Sequence, residues 1–146
     1  MSKKKIFIKV LLVEDNPGDA RLTELAFKEG EVPVELDVAR DGEEAMAFLH
    51  KEGQYANIDK PDLILLDLNM PKKDGRKTLK DIKSDPELQD IPVAILTTSE
   101  ADRDILECYQ MHANCYLVKP SRVEDFAELI RSTEKFWFNT ARLPAG

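Results

Sequence analysis

A set of polar residues stands where the apolar runs of this chain stop. Glu14-Asp15 follow the run Ile6 to Val13, Asp67 follows Leu63-Ile64-Leu65-Leu66, Thr97 follows Pro92 to Leu96, and Lys119 follows Cys115 to Val118. Taken singly, each has an ordinary explanation: an acid pair caps a helix, a threonine sits at a strand end, a lysine is solvated. Taken together, three acids, a hydroxyl and one cation make a hard-oxygen site for a metal and a phosphate. Carboxylates crowded into one pocket repel, so a cation or the Lys119 ammonium has to offset them. Magnesium takes octahedral oxygen ligands and keeps several waters, which suits two carboxylates and a backbone carbonyl. In that setting Asp67 can act as a nucleophile toward a phosphoryl group. The Lys119 ammonium and the Thr97 hydroxyl can then neutralise the phosphoryl oxygens.

These residues act as a set only if the chain brings the ends of the runs together. The runs Leu63–Leu66 and Pro92–Leu96 are short and wholly apolar, the pattern of strands buried on both faces of a parallel sheet. Val34 to Ala39 alternates apolar and polar, as a strand near an edge does. Between the strands lie helical stretches with start signals. Asn16-Pro17-Gly18-Asp19 offers an N-cap, a proline at the first helical position and an acid in the first turn. Asp41 opens a second helix with Ala45, Phe48 and Leu49 on its apolar face, and a third follows Gly75 with Leu79 and Ile82 inward. Ser99 with Asp102, and Ser121 with Glu124, predict capped starts for a fourth helix (Ile105, Leu106, Tyr109) and a fifth (Phe126, Leu129, Ile130, Thr133). Alternation of this kind predicts an α/β fold with helices on both faces of a parallel sheet. Right-handed crossovers put every strand's carboxyl end on one edge, where such folds bind ligands.

At 146 residues the chain suits one domain, and 42% hydrophobic with 34% charged content is that of an ordinary globular protein. A formal charge of -7 argues against nucleic acid or anionic lipid as a partner. No apolar stretch approaches the roughly 20 residues that span a bilayer. Ser2-Lys3-Lys4-Lys5 before Ile6-Phe7-Ile8 reads as a basic tail on the first strand, because Lys9 interrupts the apolar run. Cys108 and Cys115 lack metal-ligand spacing with His50 and His112, which points to free thiols in a reducing, cytoplasmic setting.

Glu14-Asp15, Asp67 with Met70-Pro71 and Asp74-Gly75 downstream, Thr97, and Lys119-Pro120 resemble the receiver domain of two-component response regulators over nearly the whole chain. The resemblance implies a flavodoxin-like, doubly wound five-stranded sheet in the order 2-1-3-4-5. It implies Asp67 as phosphoacceptor, and Asp15, Asp67 and the Asn69 carbonyl as Mg2+ ligands, with Glu14 acting mainly through a metal-bound water. Thr97, Thr98 and Lys119 would contact the phosphoryl group, Tyr116 would be the switch aromatic, and the bond before Pro120 would be cis. The partner implied is a sensor histidine kinase. A long loop, Gly53 to Pro61, and the segment Phe136-Trp137-Phe138 through Ala141-Arg142-Leu143-Pro144 look like the single-domain response regulators that serve phytochrome-type kinases. On that reading residues 1–134 form the receiver and 135–146 an extension. The extension, the fourth helix, the fifth strand and the fifth helix would build a homodimer contact.

The expected function is a phosphoacceptor switch that catalyses its own phosphotransfer and dephosphorylation, signals by protein contact and is not a free-standing enzyme. An aspartyl-phosphate phosphatase of the haloacid dehalogenase type would want an aspartate where Asn69 stands. An unphosphorylated scaffold receiver would tolerate gaps in the site, and every acid, the hydroxyl and the lysine are present. A flavodoxin-like cofactor binder would need a Gly/Ser/Thr-rich phosphate loop after the first strand.

Overall fold

The computed structural model describes residues 7–70 and 74–144. Its elements alternate as β1 (Ile8–Val13), α1 (Pro17–Lys28), β2 (Val34–Ala39), α2 (Gly42–Leu49), β3 (Leu63–Leu66), α3 (Gly75–Ser84), β4 (Val93–Thr97), α4 (Asp102–Gln110), β5 (Cys115–Val118) and α5 (Val123–Glu134). A 3₁₀ turn, Gly53–Tyr55, lies within the long loop before β3, and a π-helical turn, Lys135–Thr140, continues α5. All strand pairs are parallel, as the alternating elements predict, in the order β2-β1-β3-β4-β5 that the family resemblance implies. The basic tail Ser2-Lys3-Lys4-Lys5, the expected strand start at Ile6, and Pro71 lie outside the described residues.

Side chains alternate between the two faces of a strand, so the apolar runs divide into two cores. Leu11, Val13, Ile64, Leu66, Val93 and Ile95 meet Phe48 and Leu49 of α2, Leu79 and Ile82 of α3 and Cys108 of α4. Val10, Leu12, Leu63, Leu65, Ala94 and Leu96 meet Phe27 of α1 and Phe126 and Ile130 of α5. Because β1, β3 and β4 are covered on both faces, their sequences carry no polar alternation. β2, at the sheet edge, is only half-buried and does alternate. Truncating one of the central leucines to alanine would cost about 2–5 kcal/mol, since neighbours on both faces cannot collapse into the gap.

The helix starts divide into two kinds. The Asn16 Oδ1 accepts the Asp19 N–H at 3.1 Å, Asp41 Oδ1 accepts the Glu44 N–H at 2.8 Å, and Asp74 Oδ1 accepts the Arg76 N–H at 2.7 Å. These cap α1, α2 and α3. The N-caps of α4 and α5 are Ala101 and Arg122, and neither makes a side-chain cap bond. The capping roles expected of Ser99 and Ser121 are therefore corrected. Ser99 lies two residues before its helix's cap, where its hydroxyl accepts the Ala101 N–H at 3.3 Å and donates to Asp104 Oδ2 at 2.5 Å. Ser121 lies one residue ahead of the cap of α5.

α4 also faces otherwise than its apolar residues suggest. Leu106 and Tyr109 are 58% and 47% exposed, and the residue turned into the core is Cys108. Burial pushes the Cys108 thiol up to about 11. Cys108 and the half-buried Cys115 are both free thiols. Beyond α5, Trp137 and Phe138 pack on the α1/α5 core, with the Phe138 ring 6.4 Å from that of Phe27. Phe136 is 52% exposed and meets Trp137 edge-on at 5.1 Å. Trp137 and Phe138, within the expected extension 135–146, thus pack on the receiver's core.

Candidate functional site

Backbone ladders at the carboxyl edge of the sheet fix where the polar terminators stand. The Glu14 N–H donates to the Ala39 carbonyl at 2.9 Å, the Asp67 N–H to the Val13 carbonyl at 3.0 Å, and the Lys119 N–H to the Thr97 carbonyl at 2.7 Å. Each site residue is held by the strand beside its own, so β2, β1, β3, β4 and β5 together define the positions of the side chains. One carboxylate oxygen from each of Glu14, Asp15 and Asp67 lies within 4.8 Å of the others. Glu14 and Asp67 are buried, at 2% and 7% exposure. Buried carboxylates so close together require positive charge.

Lys119 supplies it. Its ammonium donates to Glu14 Oε1, to Asp19 Oδ2 at 2.9 Å and to Asp67 Oδ2 at 3.3 Å. Three donors thus face three acceptors, which is the full capacity of a lysine. Burial alone would lower the Lys119 pKa, but the bonds from Glu14 and Asp19 and the charges of Glu14 and Asp67 outweigh it and hold the group cationic. Burial raises the Glu14 carboxyl well above the usual carboxylate range; the Asp67 charge adds to this and Lys119 opposes it. The Asn16 N–H also donates to Glu14 Oε2 at 3.2 Å, so the first turn of α1 grips the same acid. The three acids are hard oxygen donors and fit a divalent cation of the magnesium, manganese or calcium kind.

Around Asp67 the remaining expected residues take their places. The Asn69 N–H donates to Asp67 Oδ1 at 3.2 Å, and Asn69 Nδ2 reaches the buried Thr97 Oγ1 at 3.5 Å. Thr98 is exposed and borders a groove with Asp19, Leu22, Lys119 and Phe126. The Tyr116 hydroxyl donates to the Ser99 carbonyl at 2.9 Å, and its ring packs against the α2/α3/α4 core. No peptide bond among the described residues is cis, so the expected cis bond before Pro120 is corrected to trans. A prolyl bond prefers trans by about 0.5–1 kcal/mol when nothing opposes it, and the trans chain already brings Lys119 to its acids.

Two features add to the side chains expected of this site. The backbone of Gly75 lies against Asp67 and Leu68; a Cβ there would collide with the Asp67 carbonyl oxygen and lie 2.6 Å from Leu68 Cα. The Gly75 N–H donates to the Leu68 carbonyl at 2.9 Å, which draws the start of α3 onto the turn that follows Asp67. Second, Asp19 and Arg76 join the site's surroundings. Asp19, expected only as a first-turn acid, holds Lys119. Arg76 bridges α3 to α4 through Asp104 at 2.5 Å and Glu107 at 3.2 Å. Asp19 stands four residues after Asp15, at the start of a helix that rises from the site's edge, and that spacing was the available clue.

A parallel sheet of this order with an acid cluster and a lysine at its carboxyl edge is the arrangement of a receiver domain. Residues 10–131 match the response regulator receiver domain, and the chain belongs to that family. It is 47% identical over 136 residues to response regulator Rcp1 of Synechocystis sp. PCC 6803, covering 93% of this chain and 92% of that one. The crystal structure of the phosphorylated cyanobacterial phytochrome response regulator RcpA superposes with a TM-score of 0.91 at 50% identity, covering 95% of this chain and 99% of that one. The Mn(2+)-bound form of Rcp1 gives a TM-score of 0.89 at 46% identity, over 94% and 99% of the two chains. The chain is thus a receiver related to phytochrome response regulators. No helix among the described residues is long and apolar enough to cross a membrane.

Proposed function

We propose that this protein is a phosphorylation switch that takes a phosphoryl group from a histidine kinase onto Asp67. The observation that carries the reading is the Asp67 carboxylate, 7% exposed, between the Lys119 ammonium and the acids Glu14 and Asp15. An Asp67 oxygen attacks phosphorus, an O–P bond forms, and the P–N bond of the phosphohistidine breaks. The imidazole keeps the electron pair and takes a proton from water. In the reverse sense of signalling, water attacks the same phosphorus, the bond from the Asp67 oxygen to phosphorus breaks, and inorganic phosphate departs from the free carboxylate. Glu14, Asp15, Asp67 and the Asn69 carbonyl would hold Mg2+, which supplies charge neutralisation of the phosphoryl oxygens. Thr97 and Thr98 would hydrogen-bond those oxygens and Lys119 would pair with them.

The output we propose is protein contact through α4, β5 and α5, with Tyr116 reporting the state of Thr97. The bond from Tyr116 to the Ser99 carbonyl supports this, because it joins β5 to the loop that leads into α4. The phytochrome-type pathway is supported by the relatives named above, and the two free thiols favour a reducing, cytoplasmic setting. A homodimer through the α4-β5-α5 face and the C-terminal segment is supported by the exposure of Leu106, Tyr109 and Phe136.

Incubation with acetyl phosphate and Mg2+, followed by intact-mass measurement, tests the reading. One phosphoryl adduct on wild type and none on Asp67→Asn is the expected result. Steady hydrolysis of donor without an adduct would favour a phosphatase, and no reaction a scaffold. Sedimentation at tens of micromolar, with and without donor, tests the dimer, which Phe136→Ala should weaken.

A further inference from the structure

We propose that Asp19 is a positioning residue that holds the Lys119 ammonium beside Asp67 when the other acids are taken by a cation. The proposal rests on the reading of Asp67 as phosphoacceptor. Its basis is a division among the three partners of Lys119. Glu14 and Asp67 belong to the acid cluster that fits a divalent ion, whereas Asp19 is not among the acids whose oxygens converge there. A cation in the cluster competes with Lys119 for Glu14 and Asp67 and leaves Asp19 untouched. The Lys119 side chain is only 5% exposed, which leaves its ammonium little bulk water to turn to for a replacement acceptor. Without Asp19 the ammonium keeps only the two acids that the cation also draws on, at the moment it must face the incoming phosphoryl oxygens.

The sequence fixes Asp19 for this task. Asn16 Oδ1 accepts its N–H at 3.1 Å, and the Thr23 hydroxyl donates to its carbonyl at 2.8 Å. Its main chain is thereby locked in the first turn of α1, and its side chain, 31% exposed, leans across the groove to Lys119 at 2.9 Å. Leu22 and Phe126 border the same groove and limit water at the pair. A bare first-turn acid serving the helix dipole would not need to reach a buried lysine a hundred residues away in sequence.

The test compares wild type with Asp19→Asn and Asp19→Glu, all as the full chain. Nitrogen-detected NMR of the lysine ammonium groups, with Lys119→Met to identify the signal, follows Lys119 without any phosphoryl chemistry. The Lys119 signal should be protected from exchange in wild type both without and with saturating Mg2+. In Asp19→Asn it should be lost when Mg2+ is added, while Mg2+ affinity measured by calorimetry stays within about twofold and Asp19→Glu keeps the signal. Phosphoryl uptake from acetyl phosphate should slow about tenfold in Asp19→Asn, the worth of one hydrogen bond to a charged group. A Lys119 signal that survives Mg2+ in Asp19→Asn, or uptake at the wild-type rate, overturns the proposal. If wild type takes up no phosphoryl group, the phosphoacceptor reading falls, and the ammonium signal alone decides what Asp19 does.

Discussion

The first three helices and the last two begin differently, and the residues that precede them divide the same way. α1, α2 and α3 are capped by Asn16, Asp41 and Asp74, and these helices frame the anchored acids Glu14, Asp15 and Asp67. α4 and α5 follow Thr97 and Lys119, the groups assigned to the phosphoryl oxygens, and begin without a side-chain cap. An N-cap bond is worth about 1 kcal/mol, so its absence lowers the cost of shifting a helix start. On the function proposed above, the contrast lets one small domain keep a metal and phosphate site rigid while leaving its output elements free to move. The anchoring acids sit on locked turns. Thr97 sits ahead of a helix, α4, that is held by Arg76, Ser99 and Tyr116 instead of by a side-chain N-cap.

The largest effect should come from breaking the anchored half at its centre. Asp67→Asn is expected to abolish phosphoryl uptake by intact mass. It should raise the metal-free melting temperature, since it removes one of the crowded charges facing Glu14. Lys119→Ala should do the opposite to the fold. It strips the buried acids of their common partner and should cost about 3–5 kcal/mol in metal-free denaturant melts, with part of the loss restored by Mg2+. Gly75→Ala forces a Cβ against the backbone of Asp67 and Leu68 and should cost about 1–3 kcal/mol by the same melts, together with slower phosphoryl uptake. The smallest pair sharpens the comparison directly. Asp41→Ala should cost about 1 kcal/mol, whereas Ser121→Ala should stay within about 0.5 kcal/mol because its hydroxyl caps nothing.

Much of this was legible before any coordinates. A parallel sheet with helices on both faces followed from alternating elements, its strand order from the family resemblance, and β2 and β5 begin and end where their apolar patterns do. Glu14, Asp15, Asp67, Thr97 and Lys119 were found because each ends an apolar run, and a parallel sheet must gather such ends. What escaped depends on contacts between distant segments. Asp19 and Lys119 lie on different elements, and only its place four residues after Asp15 sets that acid apart from an ordinary first-turn residue. The caps of α4 and α5 were misplaced because Ser99 and Ser121 fit the capping pattern, while the register of each helix is set by its buried face. Cys108 rather than Leu106 faces inward for the same reason: a nine-residue helix has one buried stripe, and the sheet beneath chose it.

That choice gives α4 a chemical clock. The Cys108 sulfur is fully buried and its thiol is held up to about 11 by that burial, so alkylating reagents meet almost no thiolate and no open path. Its modification rate therefore measures how often the helix lifts from the sheet, and Cys115, half-buried on β5, gives an internal standard on a neighbouring strand. Mass-resolved labelling of the two sites, with and without phosphodonor, would time the opening of the output face on the native chain, with no probe attached.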